Sequence, residues 1–258
     1  MDATKLDLAK WQEFVSTFEI DLLFVTVSGA HLYGFPSPDS DIDLRGSHLL
    51  PLDEVVGLVV SDSTFEKDGM HEGIETDIVS HDIGKYLSLL VKNNGYILEQ
   101  IFSPLVVHGS NFLAELRPLA KKCITKHHYH HYAGFYTTQR KLIEKQPNKT
   151  AKAVLYAYRV LMTGIHLLHS GEVEANLRTL NDEAGFRHSF ISDLIESKTA
   201  EKISPSDLDW EFHAEQLDRL AAQLSDAFVK SKLPTERDKL AINRFLVDVR
   251  LGNRCFSK

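Results

Sequence analysis

Two aspartates one residue apart give the sequence its clearest chemical signal. Asp41 and Asp43 alternate with Ile42 and Leu44. Residues i and i+2 of a β-strand point to the same face, so on a strand both carboxylates would project together while the two aliphatic side chains entered the core. Carboxylates held that close repel each other unless a cation bridges them, and Mg²⁺ or Mn²⁺ accepts such ligands. The spacing therefore predicts a divalent metal site.

A third aspartate extends this predicted site. Asp77 precedes an apolar pair in a second stretch of strand-like composition. Three carboxylates on adjacent strands can hold two metal ions about 3.5–4 Å apart, which activate an attacking hydroxyl and stabilise a leaving group. We predict Asp41, Asp43 and Asp77 as catalytic residues and metal ligands. Glu75, which shares the strand face of Asp77, is the alternative third ligand.

A glycine turn ahead of the aspartates predicts an anion site. Gly29 directly follows a strand-like run, and Gly34 comes five residues later, where a glycine lets the backbone approach a ligand closely. A turn at Ser28 and Gly29, followed by a short helix to Gly34, would direct backbone N–H groups at phosphate oxygens. A glycine after a strand is usually only a turn, so this prediction depends on its combination with the aspartate pair.

Charge is unevenly distributed along the chain. Residues 1–119 contain 7 Lys and Arg against 19 Asp and Glu, whereas residues 120–160 contain 9 against 1. In this basic segment Lys149, Lys152, Tyr156 and Arg159 recur at spacings of 3, 4 and 3, along one face of a predicted helix. The lysines suit phosphate and the tyrosine ring suits a base or ribose. The alternative is that Tyr156 lies in the core and the lysines are solvated.

Four histidines surround Tyr129 in the same basic segment. They are His127, His128, His130 and His131, and only pairs three or four residues apart share a helix face. No HExxH pattern or cysteine partner supports a zinc site, so we assign no metal to them. A structural helix face and hydrogen bonds to a substrate both remain open.

Composition excludes several classes of protein. The 258 residues are 43% hydrophobic and 25% charged, enough to bury a core, and no apolar run has the length of a membrane span. The N-terminus lacks a signal-peptide pattern, and Cys123 and Cys255 give neither a disulfide framework nor a zinc pattern. We therefore expect a cytoplasmic protein, not a membrane protein, a secreted disulfide scaffold or a cysteine-ligated metal domain.

The elements that must position these residues predict an α+β fold. Strands come first and helices later, which indicates an N-terminal head with a small mixed β-sheet (residues 1–108) followed by an all-helical C-terminal part (109–258). Predicted strands cover 20–27, 41–45, 55–60 and 74–80, and the polar residues 61–73 predict a mobile loop. Predicted helices cover 5–18, 82–92, 96–102, 110–116, 118–144, 149–169, 173–183, 187–196, 206–230 and 235–249.

The glycine turn and the aspartate strand together resemble a known family. Gly29-Ala30, ten residues, and then Asp-Ile-Asp-Leu at 41–44 is similar to the signature of the DNA polymerase beta nucleotidyltransferase superfamily. The longer string GAHLYGFPSPDSDIDLRG resembles the RlaP group of predicted nucleotidyltransferases associated with RNA repair. Later stretches, KYLSLLVKNNGYILEQIFSP, HHYHHYAG and KTAKAVLYAYRVLMTGIHLL, are also similar to that group, so the resemblance covers about residues 20–175.

The resemblance implies a metal-dependent transferase. Such an enzyme would use Mg²⁺ or Mn²⁺, bind ATP or another NTP, transfer NMP to an acceptor hydroxyl and release pyrophosphate. The nucleotide would meet Ser28, Gly29, Ala30, Gly34, Arg45, Lys149, Lys152 and Tyr156. Arg45 directly follows the aspartate pair and could bridge the carboxylates or contact a phosphate.

One residue departs from the family pattern. Ala30 stands where the superfamily has a serine whose hydroxyl helps to hold a phosphate, and Ser28 would replace that hydroxyl only in part. The alternative reading is therefore a catalytically weak or inactive nucleotide-binding or regulatory module. The sequence leaves the acceptor open between an RNA end, a small molecule and a protein side chain. The preferred NTP and the oligomeric state are not encoded in any pattern we recognise.

Overall fold

The computed structural model describes residues 6–182, 185–199 and 208–254. The chain forms two compact units, which interleave in sequence. The sheet unit comprises Met1–Gly29, Asp39–Cys123 and Glu236–Lys258, and the helical unit comprises Ala30–Pro38 and Ile124–Thr235. None of the helices in the described ranges combines the length and apolar content that a membrane span requires.

The sheet unit contains the five strands and six of the helices found in the described residues. The strands are β1 (Leu22–Val27), β2 (Ile42–His48), β3 (Thr64–His71), β4 (Ile74–Asp82) and β5 (Val106–His108). The helices are α1 (Leu8–Ser16), α3 (Leu52–Val55), α4 (Ile83–Leu90), α5 (Gly95–Phe102), α6 (Ser110–Lys121) and α12 (Lys239–Arg250), and α2 (Gly29–Tyr33) begins at the last residue of the first segment.

The strands form one mixed sheet in the order β3-β4-β2-β1-β5. β2 and β4 are parallel, whereas β1 pairs with β2 and β5, and β3 pairs with β4, in antiparallel fashion. Ile42 and Leu44 of β2 are buried on the face that packs on Trp11 of α1. On β1, Phe24 alternates with the residues of that face, and its ring contacts Tyr86 of α4 and Phe112 of α6. The alternation predicted around the aspartates is therefore present.

The helical unit is built around one buried helix. Its helices are α7 (His128–Lys145), α8 (Ala151–Ser170), α9 (Leu177–Asp182), α10 (Ser189–Thr199) and α11 (Trp210–Lys230). α8 is buried along most of its length and contacts the other four. Thr150 caps its N-terminus, and its C-cap is Gly171 in the left-handed conformation, so the sequence itself marks both ends.

The α+β class and the order of strands before helices are confirmed. The predicted loop over 61–73 is wrong, because β3 and a two-residue turn at Glu72 and Gly73, both with positive φ, occupy it. As the edge strand, β3 exposes residues of both faces, so it lacks the alternating polarity that identifies a half-buried strand.

Three further boundaries differ from the sequence prediction. The predicted strand at 55–60 is wrong: α3 ends at Val55, and the apolar residues that follow are exposed. β5 was not predicted, because three residues are too short for a pattern. The predicted break before Pro118 is also wrong, because α6 continues to Lys121. A proline lacks one backbone N–H, so it removes one helical hydrogen bond and the helix can continue past it. The predicted helix starts at residues 5 and 206, the predicted helix end at residue 183, and Cys255 lie outside the described residues.

Candidate active site

The two strands that carry the aspartates place two of them side by side. β2 and β4 run parallel, and their register pairs Asp43 with Asp77. Both carboxylates are partly exposed, with side-chain accessibilities of 23% and 42%. Asp41 directly precedes β2 and is half-buried. Within residues 6–182, 185–199 and 208–254, no three His, Cys, Asp or Glu side chains are arranged to hold a metal ion.

The guanidinium of Arg45 lies between the paired carboxylates. Its Nη2 is 3.0 Å from Oδ1 of Asp43 and 2.8 Å from Oδ2 of Asp77. Its Nη1 donates to the backbone oxygens of Leu44 and Asp77, and its Nε donates to the Tyr96 hydroxyl at 3.1 Å. An arginine has five N–H groups, and here five hydrogen bonds to the protein use that capacity. Of the two roles open to Arg45 in the sequence, the structure shows the bridge between carboxylates.

The environment of Arg45 stabilises its charge. Burial acts to lower its pKa, but Tyr96, Asp43 and Asp77 together outweigh this effect and raise the pKa above the ordinary value. The arginine therefore carries its charge at every pH at which the protein is folded. It is a permanent cation within the carboxylate pair.

Tyr96 is a residue of this network that the sequence did not reveal. It lies in the first turn of α5, where Asn94 accepts hydrogen bonds from the backbone N–H groups of Tyr96 and Ile97. Its hydroxyl accepts from Arg45 and also from Oγ of Ser28, at 3.4 Å. Ser28 is therefore joined to the carboxylates through one phenol. No sequence motif signals this, because Tyr96 is 51 positions from Arg45.

Gly29 makes room for Asp43. Its φ is +60°, and a Cβ built on it would clash with Oδ2 of Asp43. The backbone N–H of Ser28 donates to the carbonyl of Asp43 at 2.8 Å, which fixes the turn against β2. The glycine that the sequence assigned to an anion site is thus required by the carboxylate itself. Ala30, the second residue of α2, is buried.

The predicted residues of the helical unit have partners within that unit. Gly34 has a φ of +84°, and its carbonyl accepts from Nε of Arg178 at 2.8 Å. Tyr156 is half-buried, and its ring centre is 5.5 Å from those of Tyr33 and Phe35. A Cβ at Gly34 would clash with the side chain of Asn176, so packing alone accounts for this glycine.

The two lysines of the predicted basic face differ in environment. Lys149 donates from Nζ to the carbonyl of Gln146 at 2.9 Å, whereas Lys152 is exposed. Arg159, from the same stripe, is buried with its guanidinium 4.0 Å from the ring centre of Tyr33. The assignment of Lys149, Lys152 and Tyr156 to a nucleotide stays a prediction from sequence.

The histidine cluster forms part of an aromatic surface of the helical unit. His127 and His130 have parallel rings 6.0 Å apart, and Phe228 contacts both. His128 is buried, and its Nδ1 lies 3.0 Å from the carbonyl oxygen of Thr125. His131 is desolvated and close to Arg159, which together lower its pKa to about 4.

One more carboxylate lies in the row of the paired aspartates. Asp68 on β3 is the cross-strand neighbour of Asp77, so the sheet register runs Asp43, Asp77, Asp68. Asp68 was not among the predicted site residues, because its segment was predicted as a loop. Glu75 instead lies opposite Met70, two residues further from the pair.

The donor set is compatible with a divalent cation. One oxygen of Asp43 and one of Asp77 already converge on a single positively charged atom, Nη2 of Arg45. Carboxylate oxygens are the ligands that Mg²⁺ and Mn²⁺ prefer. Asp43 and Asp77 are the paired carboxylates that could hold the ion, and Asp41, directly before β2, stays a ligand predicted from sequence.

Comparison with known proteins gives a family and a relative. The chain matches the model of the RNA repair pathway DNA polymerase beta family, RlaP, over residues 4–248. It is 33% identical over 180 residues to an uncharacterized protein of Methanocaldococcus jannaschii, covering 70% of this chain and 74% of that protein. A nucleotidyltransferase-like protein of Exiguobacterium sibiricum aligns with 95% of this chain and 78% of its own, at 10% identity and a TM-score of 0.29.

Proposed function

The chain belongs to the RNA repair pathway DNA polymerase beta family, and from that premise we propose that it is a metal-dependent nucleotidyltransferase. It would transfer NMP from an NTP to an acceptor hydroxyl and release pyrophosphate. The family membership supports a nucleotidyltransferase-like protein. The proposal of metal-dependent NMP transfer rests on the in-register pair of Asp43 and Asp77, whose oxygens converge on one positive charge.

The reaction needs from these residues a contact for the acceptor hydroxyl and ligands for the cation. The acceptor oxygen forms a bond to the α-phosphorus, the bond from that phosphorus to the bridging oxygen of pyrophosphate breaks, and the acceptor proton leaves to a base. Asp77 is the more exposed of the paired carboxylates, so we assign it the contact with the acceptor hydroxyl. Asp41 and Asp43 hold the cation. When bound, the metal supplies charge stabilisation for the phosphoryl oxygens.

The turn before β2 supports a nucleotide near the carboxylates. Ser28 and Gly29 lie against Asp43 through the Ser28 N–H and the space that a Cβ would fill. We propose that this turn contacts the nucleotide phosphates. Gly29 has no side chain, so its backbone can lie directly against the carboxylate of Asp43.

The experiment is a transfer assay with a labelled nucleotide. The protein is incubated with each α-labelled NTP, Mg²⁺ or Mn²⁺, and one of three acceptor classes: RNA oligonucleotides, small hydroxylated molecules, or protein. We expect label in one acceptor class and an equal amount of pyrophosphate. Asp43→Asn should abolish both signals. Asp53→Asn, the same change at an exposed aspartate of α3, should leave them intact.

Two observations favour a second candidate, a nucleotide-binding module without transfer activity. Ala30 supplies no hydroxyl, and Arg45 already neutralises part of the carboxylate charge. This candidate predicts nucleotide binding by calorimetry with no label transferred to any acceptor class. Labelled NMP released together with an equal amount of unlabelled pyrophosphate would instead indicate a transferase that uses water as its acceptor.

A further inference from the structure

The guanidinium of Arg45 occupies the position at which one oxygen of Asp43 and one of Asp77 converge. We propose that Arg45 is a permanent internal counter-ion of the carboxylate pair, so that the centre takes one divalent cation per chain instead of two. This inference rests on the proposed function for the presence of a metal at all. It assigns Arg45 a positioning role within the carboxylate pair.

The first argument is that Arg45 is held independently of the carboxylates. Three of its five hydrogen bonds go to the Tyr96 hydroxyl and to the backbone oxygens of Leu44 and Asp77. None of these three acceptors is a carboxylate oxygen, so none of them is a ligand of the proposed cation. The Arg45 side chain is only 14% exposed. If it left the site, its partly buried acceptors would lose their hydrogen-bond donor, which is costly.

The second argument is the charge of the site. The three predicted ligands, Asp41, Asp43 and Asp77, bring three negative charges, and Arg45 contributes one positive charge, so one divalent cation neutralises the remaining two. Asp68 is exposed to solvent on the edge strand β3 and is not part of this count. A second divalent cation between Asp43 and Asp77 would have to displace the guanidinium or share its space. Like charges that close repel strongly in a partly buried site.

The third argument concerns orientation. A guanidinium is planar and presents its N–H groups in a fixed fork, so it holds two carboxylates at a set separation in a way that a lysine cannot. Arg45 therefore keeps Asp43 and Asp77 in register before any metal arrives. Tyr96 holds the Nε edge of the same fork, which makes it the residue that positions the arginine.

The test measures metal binding rather than activity. The full chain is titrated with Mn²⁺ by calorimetry and by electron paramagnetic resonance, with and without a non-hydrolysable NTP analogue. The unchanged protein should bind one Mn²⁺ per chain. Arg45→Met, which keeps the length and removes the charge, should bind Mn²⁺ at least about tenfold more tightly and take up a second equivalent. A purely structural arginine would give the opposite sign, because its loss would only loosen the site.

Arg117→Met is the matched control. Arg117 is also in the sheet unit and donates to the backbone oxygens of Ile101 and Ser103, and no ion pair to a carboxylate is found for it in the described residues. Its replacement should leave Mn²⁺ affinity unchanged. Thermal melts in EDTA verify that each variant is folded. Arg45→Lys, which retains the charge, should keep the one-ion stoichiometry even if Arg45→Met fails to fold.

The outcomes separate this inference from the proposed function. Two Mn²⁺ per unchanged chain would overturn the inference and leave the proposed function standing, as would unchanged or weaker binding by a folded Arg45→Met variant. No Mn²⁺ on the unchanged protein, with binding regained in Arg45→Met, would overturn both the one-ion stoichiometry inferred here and the metal dependence of the proposed function. An unchanged protein and an Arg45→Met variant that both bind no metal would overturn both.

Discussion

Gly29 is the single residue whose replacement tests the carboxylate geometry most directly. Gly29→Ala places a Cβ where Oδ2 of Asp43 lies and forces an L-residue into a left-handed backbone conformation. We expect the carboxylate to move, Mn²⁺ affinity to fall by about 10- to 100-fold, and the free energy of unfolding to fall by about 1–2 kcal/mol. Calorimetry with Mn²⁺ and chemical unfolding measure the two effects.

Gly73→Ala separates those two effects. Gly73 has a φ of +80° and therefore comparable backbone strain, but a Cβ added there would have no heavy atom within 4 Å other than its chain neighbours. It should lose a similar amount of stability with no change in Mn²⁺ affinity. Equal losses of affinity in the two variants would mean that strain, and not contact with Asp43, accounts for the effect of Gly29→Ala.

His81 makes stability depend on pH. Burial, with Lys85, His48 and Arg45 adding to it, lowers the pKa of His81 to about 4 from 6.5. Between pH 4 and pH 6.5 the imidazole of His81 is protonated in the unfolded chain and neutral in the folded chain. The contribution of His81 to the free energy of unfolding is therefore fully present above pH 6.5 and is lost as the pH falls toward 4. We expect the unfolding temperature to follow this course.

His81→Gln is the variant that checks this cause. It should unfold with a shallower dependence on pH between 6.5 and 4 than the unchanged protein, while the two curves run parallel above pH 6.5. Curves that run parallel over the whole range would assign the acid sensitivity to other groups, of which His131 is the next candidate.

At the scale of elements, the buried ion pair between α12 and β4 joins the end of the chain to the sheet. Arg250 donates to Oδ1 of Asp82 and to the carbonyl of Leu50, and both side chains of the pair are less than 15% exposed. Arg250→Leu leaves the buried carboxylate without its cation and should lower the free energy of unfolding by about 3–5 kcal/mol. Arg244→Leu, an exposed change on the same helix, should stay within about 0.5 kcal/mol.

The elements show where the sequence could and could not predict the fold. The alternation around Asp41 and Asp43 fixed the faces of β2, because it depends only on the period of a strand. The edge strand β3 could not be recognised, since its exposed positions lack that alternation. The helix predicted to begin at residue 82 does begin there: Asp82 caps α4 and accepts from the N–H of Gly84. A cap of this kind depends only on neighbours in sequence.

Contacts within the candidate site could be predicted from the sequence only where they are local. Asp43 and the Gly29 turn come from one stretch of sequence, and their contact follows from the antiparallel pairing of the neighbouring strands β1 and β2. The register that pairs Asp43 with Asp77, and the hydrogen bond from Arg45 to Tyr96, join residues 34 and 51 positions apart. Such contacts are set by packing of the whole sheet, which a single sequence does not display.

At the scale of the molecule, neither compact unit is a continuous piece of chain. A fragment of residues 1–123 lacks α12, whose Phe245 ring lies 5.6 Å from that of Phe112. We expect this fragment to bind a hydrophobic dye and to melt without cooperativity. Joining residues 236–258 to it through a Gly/Ser linker should restore a cooperative melt. A fragment that melts cooperatively without them would show that α12 is dispensable for the sheet unit.

The interleaving of the two units in sequence also determines the order in which their segments are synthesised on the ribosome. Residues 30–38 and 124–235, the whole helical unit, are translated before α12, so the sheet unit begins first and is completed last. A nascent chain that stalls after residue 235 carries the sheet with Phe112 uncovered and Asp82 lacking Arg250. Such a chain displays the apolar surface that chaperones and quality-control proteases recognise.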